Sequence, residues 1–117
     1  MGRIDRVNQQ LKREISLILQ RDLADPRFQF VSITYAEISR DLRQAKVFFS
    51  VLGSPVKVEE ARQGFEDARG KIRKYIGQRI KMRYTPELFF MYDDSLEASF
   101  RIEKALQEIQ DESKEDL

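Results

Sequence analysis

The sequence predicts an α+β protein, a small sandwich of two layers in which helices cover one face of a short sheet. Three observations point there. Apolar residues recur at three- and four-residue spacing in several segments, the signature of amphipathic helices. Two segments alternate apolar and polar residues and are rich in β-branched types, as half-buried strands are. The chain has 117 residues and is 41% hydrophobic, which suits one core and one domain.

The first helix carries Ile4, Val7, Leu11, Ile15 and Ile18 on one stripe, with Arg3, Arg6, Lys12, Arg13 and Arg21 mostly off it. Asp25-Pro26 is expected to end it, because the residue before a proline is pushed out of helical geometry. Two strands follow, Val31 to Ala36 and Ala45 to Val51. The polar stretch Ser39-Arg40-Asp41-Leu42-Arg43 between them predicts an antiparallel hairpin. Gly53-Ser54-Pro55 then breaks the chain.

Val58, Ala61, Phe65 and Ala68 resume helical spacing, and Ile72, Ile76 and Ile80 continue it after Gly70. Gly70 is read as a C′ residue at positive φ, so two helices meeting at a bend are expected, with Ala68 allowing their close approach. Pro86 introduces a third strand, Leu88 to Tyr92. Asp94, three residues before Glu97, reads as the cap of a last helix carrying Ala98, Ile102, Leu106 and Ile109. The strand aromatics Phe48, Phe49, Phe89, Phe90 and Tyr92 read as core. Residues 1–110 form the expected domain, and 111–117 an acidic disordered tail.

Absences exclude whole classes of chemistry. There is no Cys and no His, so thiolate nucleophiles, Cys-ligated zinc, disulfides and imidazole acid–base catalysis are ruled out. The longest purely apolar run, Leu88 to Tyr92, is far too short to span a membrane. The first residues lack the apolar core of a secretory signal. A cytoplasmic protein is expected, with no metal and no cofactor. Asp93-Asp94 is a poor catalytic pair, since adjacent side chains diverge. The stretch from Gly64 to Lys71 has five residues between its glycines and Ile72 where a phosphate loop needs Ser or Thr.

Charge carries the functional signal. The formal net charge is only +1, yet Gly70 to Tyr84 holds six basic residues (Lys71, Arg73, Lys74, Arg79, Lys81, Arg83) and no acid. Asp93 to Leu117 has nine acids against three bases. A basic segment with interleaved apolar residues is the footprint of a polyanion binder. It equally suits a solvated helix face, or a surface that neutralises the acidic last helix of the same chain. Arg3, Arg6 and Arg13 of the first helix form a second basic set, and Arg40, Arg43 and Lys46 of the hairpin a third. Lys74 and Lys81, seven residues apart, are expected on one helical face.

Six stretches carry a resemblance to a known family. They are Arg6-Val7, Asp25-Pro26-Arg27, Ser39-Arg40-Asp41-Leu42 with Ala45-Lys46-Val47, Ile72-Arg73 with Gly77, Pro86-Glu87-Leu88 leading to Tyr92-Asp93-Asp94-Ser95, and Arg101-Ile102. In this order and at these spacings, over about residues 3–110, the chain resembles the ribosome-binding factor A family of bacterial small-subunit assembly factors. The resemblance implies a type II KH-like fold, α-β-β-α-α-β with an added C-terminal helix. It implies no G-x-x-G clamp: the family has an Ala-x-Gly bend where Ala68-Arg69-Gly70 stands, and no G-x-x-G occurs in this sequence. It further implies a non-enzymatic, monomeric RNA-binding protein of ribosome biogenesis. Such a protein binds the immature 30S subunit and 16S rRNA, assists 16S rRNA processing at the 5′ end, and matters most in cold adaptation. The competing expectation is a protein-interaction module that docks through its acidic last helix without touching RNA.

Overall fold

Arg3–Leu17 forms α1 in the computed structural model, which describes residues 2–95 and 105–107. The predicted stripe is the reason: Leu11, Ile15 and Ile18 are fully buried, and Ile4 and Val7 pack against the same core. The helix does not stop at Asp25-Pro26. It widens into a π-helical turn, Ile18–Asp22, closed by Leu23 N–H donating to the Ile18 carbonyl at 3.0 Å. Asp25 begins the next element instead. Its carboxylate accepts from Arg27 N–H at 2.9 Å and caps a short 3-10 turn, Pro26–Phe28. The Arg27 guanidinium then pairs with Asp25 at 2.7 Å and with Asp67 at 2.9 Å.

Strands β1 (Val31–Ile38) and β2 (Gln44–Val51) form the expected antiparallel hairpin, with Val31 opposite Val51 and Ile38 opposite Ala45. A bulge between Ile33 and Tyr35 resets the alternation. Ala36 and Ile38 therefore point to the core, and Tyr35 stands on the open face at 50% exposure. Strand β3 (Glu87–Tyr92) runs parallel to β2, giving the sheet order β1-β2-β3. A parallel neighbour requires a crossover, which the helix between β2 and β3 supplies.

That crossover corrects the largest expectation. Pro55–Arg79 is one helix of 25 residues, α2, with no bend at Ala68-Arg69-Gly70. Val58, Ala61, Phe65, Ile72 and Ile76 are buried and Ala68 half-buried, so a single stripe runs through the glycine at unbroken three- and four-residue spacing. Gly70 lies on the opposite, exposed side, with nothing within 4 Å of where a Cβ would stand, and the positive-φ glycine is Gly53. Because the helix ends at Arg79, Lys81 lies beyond it and shares no helical face with Lys74.

Phe65 of α2 centres the core, its ring 4.7 Å from Phe49, 4.8 Å from Phe28 and 4.4 Å from Phe90. Each such fully buried side chain contributes roughly 1.5–3 kcal/mol. Not every strand aromatic is core. Phe48 faces outward against Tyr35, with ring centroids 5.8 Å apart, and Phe89 is exposed. After β3 the Asp93 carboxylate accepts from Ser95 N–H at 2.9 Å and from the Thr34 hydroxyl at 2.9 Å, while the expected Asp94–Glu97 capping pair reaches outside the described residues. These bonds hold the Asp93 carboxyl below the usual carboxylate range, the Ser95 backbone bond most of all. Apart from 105–107, which are helical, the expected last helix and tail lie outside the described residues.

Candidate nucleic-acid interface

Three tethers draw distant segments together. Asn8 of α1 accepts from Ile38 N–H at 2.7 Å, holding the end of β1 against the helix. Glu87 N–H donates to the Arg43 carbonyl at 2.9 Å, joining the hairpin turn to the entry of β3. Arg79 at the end of α2 pairs with Asp22 at 2.5 Å and with Glu14 of α1 at 3.9 Å.

The same segments enclose a groove of about 870 Å³. Its walls are the start of α1, the turn 41–43 and the loop 80–84. Arg3, Arg6, Arg13, Arg43, Lys81 and Arg83 line it, and among the described residues Asp41 is its one acidic lining residue. The Asp41 carboxylate is already engaged, by the Ser39 hydroxyl at 2.6 Å and by Arg43 N–H at 3.1 Å. Those bonds, the Ser39 bond first, draw the Asp41 carboxyl below its usual range, so it stays ionised and offsets one of the six cationic charges of the lining. Among the described residues, Arg3, Arg6, Arg13 and Lys81 have no ion-pair or hydrogen-bond partner. Unpaired cations converging on a concave surface attract a polyanion by counterion release.

The remaining basic residues of the sequence reading are placed elsewhere. Lys74 is exposed on α2 away from the groove. Lys71 lines a separate surface hollow with Asp22, Asp25, Asp67 and Arg27, where the three acids are already paired with Arg27 and Arg79. Arg40 is exposed in the hairpin turn, and Lys46 lies opposite Glu37 in the sheet register. Arg73 and Arg79 are engaged within the molecule. Arg73 donates to the carbonyls of Pro86 and Thr85, each at 3.0 Å, and Arg79 holds its two acids while lying 5.1 Å from the Tyr75 ring centroid.

The sequence reading missed the apolar part of the groove. Val7, Leu42, Ile80, Met82 and Tyr84 line it between the cations. Arg43 and Arg83 both direct a guanidinium at Tyr84, 5.4 and 5.5 Å from its ring centroid. The dipeptide Arg83-Tyr84, a cation beside an aromatic residue, is the signal that could have marked this loop. Among the described residues, no cluster of acidic side chains is placed to hold a metal ion, and no helix is long and apolar enough to cross a membrane.

The ribosome-binding factor A family model matches residues 3–106, nearly the whole chain. The chain belongs to the ribosome-binding factor A family. Ribosome-binding factor A of Halothermothrix orenii is 48% identical over 114 residues, 97% of this chain and 93% of that protein. The crystal structure of ribosome-binding factor A from Thermus thermophilus superposes with a TM-score of 0.70 at 24% identity, covering 79% of this chain and 97% of that one. A second Thermus thermophilus ribosome-binding factor A structure, a homology model fitted into the electron cryo-microscopy map of a 30S complex, superposes with a TM-score of 0.63 at 24% identity, covering 74% and 91%. The fold is therefore the α+β, KH-like architecture of ribosome-binding factor A. Its family motifs have local physical roles here: Asp25-Pro26-Arg27 clamps the 3-10 turn to α2, and the Ser39-Arg40-Asp41-Leu42 turn shapes one wall of the groove.

Proposed function

We propose that this protein binds the immature small ribosomal subunit, with its basic groove seated on the phosphate backbone of folded 16S rRNA. The observation that carries this is the convergence of Arg3, Arg6, Arg13, Arg43, Lys81 and Arg83 from three separate segments, four of them without a partner among the described residues. The 30S complex of the Thermus relative supports the same target. Folded RNA presents phosphates and shape more than readable base edges, and a rigid cationic concavity suits that. The proposed action is non-enzymatic. A protein that holds a precursor conformation more tightly than the mature one shifts the population toward productive assembly. Assistance to 16S rRNA processing at the 5′ end, greatest need in the cold, a monomeric state and a cytoplasmic location complete this reading.

The test is co-sedimentation with precursor small subunits and with naked 16S rRNA fragments at rising salt. Binding to both that falls steeply with salt supports the reading. Binding to intact particles alone, insensitive to the groove cations, favours docking of the acidic C-terminal segment on a basic protein instead.

A further inference from the structure

We infer that the groove contains a subsite for one unpaired nucleobase of the bound RNA, with Tyr84 as its stacking surface. The inference rests on the proposed RNA-binding role and adds a ligand feature to it. A surface that meets only phosphates needs cations and hydrogen-bond donors. An apolar floor under it is unfavourable, because a charged phosphate loses hydration there without compensation. This groove has such an apolar lining: Val7, Leu42 and Met82, each half-buried, line it together with the cations. Its volume of about 870 Å³ is within the ~300–1,000 Å³ typical of small-ligand pockets.

Leu42 is the second observation. It is the non-glycine residue with positive φ among the described residues, at 63°, and this conformation costs a branched side chain roughly 1–2 kcal/mol. The turn's own hydrogen bonds hold it there, Leu42 N–H on the Ser39 carbonyl at 2.9 Å and the Ser39 hydroxyl on Asp41. Such strain persists where the surroundings over-determine it, and it clusters at binding sites. Here it accompanies an apolar side chain in the groove lining, at a position where Gly or Asn would relieve the backbone.

Tyr84 is the third. It is 53% exposed, and the guanidiniums of Arg43 and Arg83 lie over its ring, 5.4 and 5.5 Å from the centroid, so an entering base takes the place of one of them as it pairs with phosphate. An aromatic face flanked by cations is how RNA-binding surfaces hold a splayed base while its phosphates meet the guanidiniums. A continuous duplex keeps its bases stacked within itself, whereas a bulged or flipped nucleotide can offer its base to this lining. The cationic rim and aromatic wall thus favour a nucleotide over an acidic peptide, which would leave the aromatic surface unused.

The experiment measures affinity by fluorescence anisotropy for three labelled RNA hairpins: one with a single bulged adenosine, its fully paired counterpart, and one with an abasic residue in the bulge. The wild type is expected to prefer the bulged adenosine about tenfold over either control, at the scale of one base–aromatic stack. Tyr84→Ala, at an exposed position, should abolish that preference, while Tyr84→Phe retains it. Arg6→Gln with Lys81→Gln should weaken all three hairpins alike. Equal binding of the three hairpins by the wild type overturns the base subsite, as does competition by free AMP or a glutamate-rich peptide as effective as competition by the bulged RNA. If Arg6→Gln with Lys81→Gln changes neither hairpin nor small-subunit binding, the RNA reading of the groove itself fails.

Discussion

Arg73 on α2 donates from Nε to the Pro86 carbonyl at 3.0 Å, pinning the entry of β3 to the helix. A second guanidinium nitrogen reaches the Thr85 carbonyl at 3.0 Å. The loop that ends here carries Lys81, Arg83 and Tyr84, so one wall of the groove hangs on this side chain. Charge-assisted hydrogen bonds contribute about 1.5–3 kcal/mol. Arg73→Ala is therefore expected to lower the unfolding free energy in urea by about that amount. Arg73→Lys should recover only part of it, since an ammonium lacks the planar fork that serves both carbonyls. An unchanged urea midpoint with weakened rRNA binding would make Arg73 a surface contact and not a strut.

The continuous α2 leads to an expectation opposite in sign to the one a bend would give. Gly70 is exposed, helical and clear of any neighbour within 4 Å. Glycine in a helix interior is worse than alanine by roughly 0.5–1 kcal/mol. Gly70→Ala should thus raise the melting temperature by several degrees. A fall in melting temperature would restore the bend.

Gly77 behaves differently, because its missing side chain makes room for the groove loop. A Cβ there would stand 2.8 Å from the Thr85 hydroxyl oxygen. Gly77→Ala should cost about 1–3 kcal/mol by overpacking. Thr85→Ala in the same chain should recover most of that destabilisation, a coupling that a double-mutant cycle reads directly. Additive effects of the two substitutions would disprove the contact.

The Asp25–Arg27 pair sets part of the acid limb of stability. The Arg27 side-chain hydrogen bonds hold the Asp25 carboxyl below its ordinary range, helped by the Arg27 backbone N–H. A carboxylate with a depressed folded-state pKa contributes fully above its unfolded value near 4 and loses that contribution as pH falls through the lower folded value. Asp25→Ala should cost about 1–2 kcal/mol at pH 7, the scale of a lost helix cap. Asp25→Asn, which keeps a capping oxygen, should cost less. Both differences should shrink as the pH is lowered toward 2, followed by urea unfolding across the acid range. A pH-independent difference would remove the ion pair from the account.

How far each element was legible depends on whether its cause is local. The stripe from Ile4 to Ile18 and the alternation in Ala45–Val51 are local, and they identified α1 and β2 directly. The bulge between Ile33 and Tyr35 is a matter of pairing with β2, so no reading of β1 alone places Tyr35 outside and Ala36 inside. Gly70 misled because a glycine inside a helix resembles a helix end. The stripe from Phe65 through Ala68 to Ile72 was the stronger signal, since burial across several turns outweighs one unfavourable propensity. For the candidate site, composition found the cations but could not sort them. Arg73 and Arg79 became internal struts because their partners, Pro86, Thr85, Asp22 and Glu14, are brought near only by the fold. Arg3, Arg6 and Arg13 joined Lys81 and Arg83 for the same reason, and Tyr84 gained importance only beside Arg43.

The most direct test of the groove as the RNA-binding surface compares two sets of neutral substitutions in binding to precursor small subunits across a salt series. One set is Arg6→Gln, Arg13→Gln, Lys81→Gln and Arg83→Gln, all in the groove; the other is Lys71→Gln and Lys74→Gln on α2 outside it. Removing one cation–phosphate interaction lowers the slope of log affinity against log salt by roughly 0.7–0.9. The groove set is predicted to reduce the slope by about three and affinity by about tenfold or more, with the α2 set within about twofold of wild type. Native binding by the groove set, with weakened binding in the α2 set, would contradict the account.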